Sequence, residues 1–486
     1  MFKQRTNLLN IIAVILVPSI LILHNFNYYK FLLLYKESYI LFLLYLTIPL
    51  IAYLLVQRIF PQKKSVAALI VLLVTIFFFF FGTVQDLLIK YSFTRPFSKT
   101  YVLPFLFMLP VIYLIFNRAE TRRFLRAISF IIIFFFLGEL SLLFWNLKNF
   151  NEAPGLKEKI TLQNNPGSIP DSFNIYHIVF DGYTNSQTLK ELFGFQNPID
   201  SFLVENGFYI AGRSKSNYNF TPYSFSATLN LGYLDLHPEH FERNYKNFFL
   251  GIKNYDHNLV FNFFRDKGYE VKHYSILDDY KHIDGLGSFA PRTPAFSMRY
   301  QTMERIFLNP WLWKKLSGRK ENLPKAIRNN LDYYVQYNKN GFDFLLNEAA
   351  KDQKQFCFVH FFLPHEPYAF TRPGIDALTL ADITNPQGYV EQVKQANEMI
   401  RKFITELKRN RHNIIIIQGD HGFRDFDFNK HAPLLQNAAL NAFYFPDQDY
   451  EKLYDSISLV NTYRVILDQY FHQTLPLLKD EYFLAR

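Results

Sequence analysis

The amino-acid sequence predicts an α/β protein in two parts: an N-terminal five-helix transmembrane domain, followed by an α/β/α domain around a mostly parallel central sheet. Three observations predict it. Long apolar stretches crowd the first 150 residues, the composition changes near residue 151, and short strand-like runs then alternate with helical patterns. The 486 residues are 49% hydrophobic, 18% aromatic and only 19% charged, which excludes a disordered chain. The single cysteine, Cys357, excludes an intramolecular disulfide framework and a cysteine-based zinc cluster.

The first domain, residues 1–150, contains five stretches that are long and apolar enough to be read as membrane spans. Buried core helices are the alternative, but five such stretches in succession exceed what a globular domain usually holds. The fourth stretch is the weakest because it is short and contains two prolines. Glu139 lies within the fifth, where facing lipid would be costly. The predicted spans cover about 8–23, 38–56, 65–84, 101–116 and 127–145.

The charge distribution supports this division and predicts an orientation. Residues 1–150 hold 15 Lys and Arg against 4 Asp and Glu, whereas the remaining residues hold 37 against 38. The net charge of +10 therefore belongs to the membrane part and does not indicate a nucleic-acid partner. Nine basic residues flank the spans on one side and six on the other, which places the N-terminus in the cytoplasm. We therefore expect a multi-pass protein of the inner (plasma) membrane, with everything after residue 150 periplasmic or extracellular.

A linker rich in Pro, Asn, Gly and Lys is predicted at 151–171, and the α/β domain at 172–486. Buried-strand candidates cover 174–180, 269–275, 355–361, 413–417 and 440–445. Helical patterns lie around them at about 185–193, 198–206, 257–267, 325–350, 388–409 and 458–471. The segment 276–323 has no assignable pattern.

Polar side chains capable of holding a metal follow the predicted strands. Asp181 ends one strand, His360 lies near the end of another with His365 just beyond it, and Asp420-His421 follow a third. Ligands of an open α/β sheet bind beyond the carboxyl ends of its strands. Carboxylate oxygens combined with imidazole nitrogens suit a divalent ion such as Zn²⁺ or Mn²⁺, which can polarise a phosphoryl oxygen.

The candidate nucleophile is Thr221, which precedes Pro222. A Thr before a Pro is also typical of a helix N-cap, and the two roles are compatible because a helix N-terminus attracts anions. Ser224 and Ser226 are the rival hydroxyls in the same segment.

The order of these motifs resembles the alkaline phosphatase and sulfatase superfamily: a strand-end Asp, a hydroxyl about 40 residues later, a late Gly-Asp-His-Gly, and then His431 before Pro-Leu. The five predicted spans resemble its lipoteichoic acid synthase and phosphoethanolamine transferase branch. The resemblance implies that Asp181, Thr221, Asp420 and His421 hold one tightly bound divalent ion, with Thr221 as the nucleophile. That branch usually has Glu as its first ligand, so Asp181 is a departure. The resemblance also implies that the substrate anion or a second ion is bound by His431, His365, His360 and Arg424.

The activity implied by the resemblance is a membrane-anchored, metal-dependent phosphotransferase or phosphodiesterase at the outer face of the inner membrane. Its donor would be a membrane lipid or lipid-linked phosphoester, and its acceptor an envelope glycan or lipid. A sulfatase-like sulfuric ester hydrolase is the first alternative. The formylglycine route of the usual sulfatases needs Cys or Ser in Cys/Ser-x-Pro-x-Arg, which this sequence lacks around Thr221. A non-catalytic membrane scaffold is the second alternative.

Overall fold

The protein's structure, a computed structural model, divides into two compact units. The first unit comprises Met1–Asn151 with Ala290–Lys320, and the second comprises Glu152–Phe289 with Glu321–Arg486. The predicted 172–486 domain is continuous in sequence, whereas the structure groups Ala290–Lys320 with the apolar helices. The residues described are 2–28, 36–61, 64–90, 118–148, 155–158, 160–163, 173–236, 241–243, 245–278, 298–299, 301–306, 325–351, 353–369, 378, 380–410, 412–424 and 433–485.

The first unit contains four long helices: α1 (Phe2–Tyr28), α2 (Lys36–Ile59), α3 (Lys64–Lys90) and α4 (Arg118–Lys148). Three stretches are long and apolar enough to cross a membrane, namely Tyr39–Ile59, Lys64–Gln85 and Arg123–Leu147. They correspond to the second, third and fifth predicted spans. The first predicted span lies in α1, where the apolar stretch Ile11–Asn27 is shorter. The fourth, 101–116, lies outside the described residues. Among the described residues, then, the spanning helices number three rather than the five predicted.

Apolar side chains on these helices point outward as well as inward. Within Arg123–Leu147 only 11% of the most apolar window is buried, and Phe130 and Phe134 are 73% and 74% exposed. Glu139, by contrast, has polar partners: its carboxylate contacts His24 Nδ1 at 2.9 Å and accepts a hydrogen bond from Asn27 Nδ2 at 2.7 Å. Partners of this kind lower the cost of a carboxylate on an apolar helix.

The second unit is built on one six-stranded sheet in the order β2-β6-β5-β1-β4-β3. Four adjacent strands, β5, β1, β4 and β3, run parallel, while β6 is antiparallel to both β5 and β2. The predicted mostly parallel sheet is confirmed. The two-residue strand β2 was too short to be read from the sequence. The strands are β1 (Asn174–Phe180), β2 (Tyr209–Ile210), β3 (Glu270–Tyr274), β4 (Gln355–Phe361), β5 (Asn413–Gly419) and β6 (Asn441–Tyr444).

Helices cover both faces of the sheet, which completes the predicted α/β/α arrangement. Apolar side chains of α5, α6, α10 and α12 form one core with alternate residues of the parallel strands. On the other face, rings of α7, α9 and α13 pack against Phe356 and Phe358 of β4. The helices are α5 (Ser186–Phe193), α6 (Ile199–Glu205), α7 (Thr221–Leu229), α8 (Tyr245–Asp256), α9 (Leu259–Asp266), α10 (Lys325–Ala349), α11 (Leu380–Thr384), α12 (Gln387–Leu407) and α13 (Thr462–Phe471).

Candidate active site

Three adjacent parallel strands bring their carboxyl ends together at one edge of the sheet. β1 pairs with β4 so that Val179 lies opposite His360, and with β5 so that Phe180 lies opposite Gly419. Asp181 follows β1 directly and Asp420 follows β5. The register therefore gathers side chains that are up to 239 positions apart in sequence, at the edge where α/β sheets bind ligands.

One oxygen from each of Asp181 and Asp420 and one ring nitrogen of His360 lie within 4.8 Å of one another. His421 Nε2 lies 3.2 Å from Asp181 Oδ1 and 3.5 Å from Asp420 Oδ2, and His360 Nε2 lies 3.6 Å from Asp181 Oδ2. All four residues are at most 3% exposed. This cluster, hereafter the Asp–His cluster, is Asp181, His360, Asp420 and His421.

Each member of the Asp–His cluster presents one buried polar atom without a hydrogen-bond partner: Asp181 Oδ1, His360 Nε2, Asp420 Oδ2 and His421 Nε2. The remaining polar atoms are held in place. Asp420 Oδ1 accepts from the backbone N–H groups of Gly182 (2.8 Å) and His421 (2.9 Å). His421 Nδ1 donates to the carbonyl of Gly422 at 2.7 Å, which leaves Nε2 as a lone-pair donor. Unpartnered buried polar atoms are costly, so the cluster fits a divalent cation.

The electrostatics agree with this fit. Burial, and then the charge of Asp181, raise the pKa of Asp420 to about 6. Burial would also raise the pKa of Asp181, but His365, His421 and His360 outweigh it and hold that pKa below its usual range. Burial lowers the pKa of His360 to about 4 and also lowers that of His421. At neutral pH the cluster therefore consists mainly of two carboxylates and two neutral imidazoles, the ligand forms that a divalent metal requires.

Thr221 begins helix α7 beside the cluster, and its hydroxyl interacts with the Asp420 carboxylate. It is the first helical residue rather than the N-cap expected from the sequence. Phe220 occupies the cap position and offers no side-chain acceptor. Thr221 is 8% exposed, more than the rival hydroxyls Ser224 (2%) and Ser226 (0%).

Both rival hydroxyls are already used as hydrogen-bond donors to the backbone. Ser224 Oγ donates to the carbonyl of Asp420 at 2.5 Å, and Ser226 Oγ donates to the carbonyls of Pro222 and Gly251 at 2.6 and 2.8 Å. Of the three hydroxyls, that of Thr221 is the one that interacts with a carboxylate of the cluster, that of Asp420.

His365 and Arg424 form a second group next to the cluster. Arg424 Nη2 donates to His365 Nε2 at 2.9 Å, Arg424 Nη1 donates to the carbonyl of Asn219 at 2.8 Å, and His365 Nδ1 donates to the carbonyl of Glu366 at 2.5 Å. The rings of His365 and His421 are 6.3 Å apart. Besides burial, the charge of Arg424 contributes to lowering the pKa of His421, and a guanidinium beside the cluster can bind an anionic ester. His431 lies outside the described residues.

For one histidine the structure differs from the role that the sequence predicted. His360, predicted as a substrate or second-ion residue, lies inside the Asp–His cluster with the predicted principal ligands. Its Nδ1 contacts Ser275 Oγ at 3.3 Å, a partner after β3 that no sequence pattern indicated. His177, on β1, bonds to Tyr463 and Gln418 in the core, away from the cluster.

Comparison with protein families supports the resemblance found in the sequence. The family model described as Sulfatase matches residues 211–460, slightly more than half of the chain. The chain belongs to the sulfatase family. The matched region contains Thr221, His360, His365, Asp420, His421 and Arg424, and Asp181 lies before it. Comparison with curated proteins gives no match.

Several solved structures are similar to this chain at low sequence identity. The integral membrane lipooligosaccharide phosphoethanolamine transferase A of Neisseria meningitidis is 14% identical, with 94% of each chain covered and a TM-score of 0.37. The C-terminal periplasmic domain of EcEptC from Escherichia coli is 12% identical over 65% of this chain and 86% of that one, with a TM-score of 0.38. A phosphonate monoester hydrolase of Agrobacterium radiobacter is 12% identical over 61% and 73%, with a TM-score of 0.36.

Proposed function

We propose that this sulfatase-family protein is a membrane-anchored, metal-dependent phosphotransferase or phosphodiesterase that acts on lipid-linked or envelope phosphoesters through Thr221. The observation that carries the proposal is the set of four buried, unpartnered ligand atoms of the Asp–His cluster, with the Thr221 hydroxyl beside them. The acceptor would be a hydroxyl of an envelope glycan or lipid, or water.

The metal would be held by Asp181, Asp420 and His421 with Thr221, as the family resemblance implies, and by His360, which the geometry adds. A divalent ion there, Zn²⁺ or Mn²⁺, supplies Lewis acidity toward a phosphoryl oxygen and lowers the pKa of a neighbouring hydroxyl. The neutral ring of His421 is oriented for this by its bond to Gly422.

The reaction then has two in-line steps. In the first, Thr221 Oγ bonds to phosphorus as it loses its proton, and the bond from phosphorus to the lipid alcohol breaks, so that the alcohol leaves with a proton. In the second, the acceptor hydroxyl bonds to the same phosphorus, and Thr221 leaves and regains a proton. Arg424, with His365 and His431, would stabilise charge on the non-bridging oxygens. The N-terminal end of α7 places its dipole toward the same charge.

The apolar helices support a membrane location. Exposed Phe and Leu side chains along α4, such as Phe130 and Phe134, would be unfavourable in water and are suited to lipid. The predicted topology places the catalytic unit outside. A reporter fused at residue 160 should be active only in its periplasmic or extracellular form, and cytoplasmic reporter activity would refute the orientation.

A sulfuric ester hydrolase of the formylglycine type finds no support in the site. The single cysteine, Cys357, lies in the middle of β4 and is fully buried, and burial raises the pKa of its thiol well above the usual range. It is therefore an inert core residue.

The decisive experiment compares Thr221→Ala, Thr221→Ser and a matched control, Thr228→Ala, which makes the same substitution near the other end of α7. Purified full-length protein is incubated with headgroup-labelled phospholipid and, separately, with an aryl sulfate. We expect a phospho-adduct on Thr221 by mass spectrometry, no turnover in Thr221→Ala, partial turnover in Thr221→Ser and near-normal turnover in Thr228→Ala.

Metal analysis of these proteins and of Asp420→Ala distinguishes the loss of a metal ligand from the loss of the nucleophile. Asp420→Ala should lose both the ion and activity, because the remaining ligands bind it poorly, whereas Thr221→Ala should retain the ion. Rapid sulfate release without a labelled adduct would overturn the proposal in favour of a sulfatase.

A further inference from the structure

A series of buried hydroxyl groups leads from the Asp–His cluster to a carboxylate just after strand β3. β3 pairs with β4 so that Tyr274 lies opposite Val359. The next residues along the two strands are Ser275 and His360, and Ser275 Oγ is 3.3 Å from His360 Nδ1. Ser275 is 3% exposed and His360 is fully buried. A fourth parallel strand therefore contributes a polar side chain next to the cluster.

The Asp278 carboxylate holds Ser275 in place. Asp278 Oδ2 accepts a hydrogen bond from the backbone N–H of Ser275 at 2.7 Å, and the backbone N–H of Asp278 donates to the carbonyl of Ser275 at 2.9 Å. Asp278 Oδ1 accepts from the hydroxyl of Tyr255 at 3.1 Å, and His273 Nδ1 lies 3.0 Å from the same oxygen. The Tyr255 hydroxyl also interacts with that of Ser275, and Tyr255 is 1% exposed. The carboxylate is therefore connected to His360 through two buried hydroxyls.

The direction of each hydrogen bond follows from the carboxylate, which can only accept. The proton of the Tyr255 hydroxyl goes to Asp278, so the Tyr255 oxygen is left to accept the proton of the Ser275 hydroxyl. Ser275 Oγ then offers two lone pairs, one of which accepts from the backbone N–H of Leu277 at 3.1 Å. The other lone pair can accept from an N–H at His360 Nδ1. A neutral imidazole with its proton on Nδ1 carries a lone pair on Nε2.

We propose that Asp278, Tyr255 and Ser275, hereafter the Asp–Tyr–Ser relay, are positioning residues for the Asp–His cluster. The relay keeps the proton of His360 on Nδ1, so that Nε2 presents its lone pair to the metal. It acts against a neighbour in the cluster: His360 Nε2 lies 3.6 Å from Asp181 Oδ2, and a carboxylate oxygen there favours a proton on Nε2. Groups bonded to the second nitrogen of a ligand histidine set its tautomer and ring orientation. The inference rests on the proposed function through the metal site.

The first test measures the Zn²⁺ affinity of the purified full-length protein by competition with a chelator. Tyr255→Phe removes the middle hydroxyl and leaves the ring to pack against Phe225 and Phe358. Tyr463→Phe is the matched control, because Tyr463 is also buried and its hydroxyl also bonds a histidine, His177 Nδ1 at 2.7 Å, away from the cluster. We expect Zn²⁺ to bind about 10–100-fold more weakly in Tyr255→Phe and with unchanged affinity in Tyr463→Phe.

The second test detects the tautomer itself in the metal-free protein at neutral pH. Solid-state NMR of protein with isotope-labelled histidine shows which ring nitrogen carries the proton, and the difference from a His360→Gln spectrum identifies the His360 signals. We expect the proton on Nδ1 in the wild type. In Tyr255→Phe the Ser275 hydroxyl loses its acceptor and is free to donate to His360 Nδ1, so the histidine proton should move to Nε2.

Two results would overturn the Asp–Tyr–Ser relay: an equal loss of Zn²⁺ affinity in both tyrosine variants, or the same His360 tautomer in the wild type and in Tyr255→Phe. Turnover of a soluble aryl phosphodiester by the wild type tests the proposed function separately. Turnover together with unchanged Zn²⁺ affinity in Tyr255→Phe would refute the relay alone. The expected change of tautomer in a protein without any phosphoester turnover would refute the proposed function alone.

Discussion

Removing the Ser224 hydroxyl should weaken metal binding although Ser224 is not itself a ligand. Its Oγ donates to the carbonyl of Asp420 at 2.5 Å, and Ser224 is only 2% exposed. In Ser224→Ala the buried carbonyl loses this partner, which costs about 1–3 kcal/mol. Because that carbonyl belongs to a proposed ligand residue, the loss also frees Asp420 to shift. Changes to groups that orient metal ligands typically cost about 10–100-fold in metal affinity.

Ser226→Ala is the matched control. Ser226 lies on the same helix, is fully buried and also donates to backbone carbonyls, those of Pro222 and Gly251, but it does not contact Asp420. Both variants should lose a similar free energy of unfolding, and only Ser224→Ala should bind Zn²⁺ and Mn²⁺ more weakly. Competition with a chelator measures the affinity, and pulse proteolysis in urea measures the stability.

Two results would refute this reasoning. Equal loss of metal affinity in both serine variants would mean that the effect is a general loss of stability. Complete loss of adduct formation in Ser224→Ala at saturating metal would make Ser224, rather than Thr221, the nucleophile.

Two further predictions concern pH and substrate binding. Burial lowers the pKa of His177 to about 3 from an ordinary value of 6.5, so the unfolded chain binds more protons between these values and stability falls as pH falls. Between pH 7.5 and 5 the wild type should lose about 2 kcal/mol of its free energy of unfolding through this group, and the loss in His177→Gln should be smaller by about that amount. Pulse proteolysis at the two pH values measures both losses, and the same pH dependence in the two proteins would contradict the prediction. Arg424→Gln should raise KM for an anionic phosphodiester about tenfold with a smaller change in kcat, since a charged donor is lost. A KM equal to that of the wild type would remove Arg424 from substrate binding.

The sequence alone predicted the sheet and the strands that carry the site. β1 and β4 are long, continuous apolar runs, and both have the bounds that the sequence predicts. Such runs are recognisable because a strand covered by helices on both faces must be apolar throughout. Asp181 and Asp420 could be nominated for the same reason: each is the first acidic residue after such a run, at the edge where parallel strands bind ligands.

Sequence could not weigh His360 against His365, because it does not show where either side chain points or what lies around it. His360 lies within β4 and points to the face covered by α7, where its ring is 4.8 Å from that of Phe225 and its Nε2 reaches Asp181. His365 lies beyond the strand and pairs with Arg424. Which side of a sheet a histidine faces depends on the register between neighbouring strands, and that is a property of the assembled sheet.

The sequence by itself therefore determined the apolar helices, the parallel strands and the residue types available at the strand ends, because these follow from local composition and periodicity. Only the tertiary structure decided which hydroxyl interacts with the carboxylates, since Thr221, Ser224 and Ser226 lie on one short helix and differ in what packs around them. It also decided that Arg299 and Glu304 lie on the apolar helices, because their segment carries no periodic pattern and its place depends on contacts such as that between Tyr45 and Glu304, 259 positions apart.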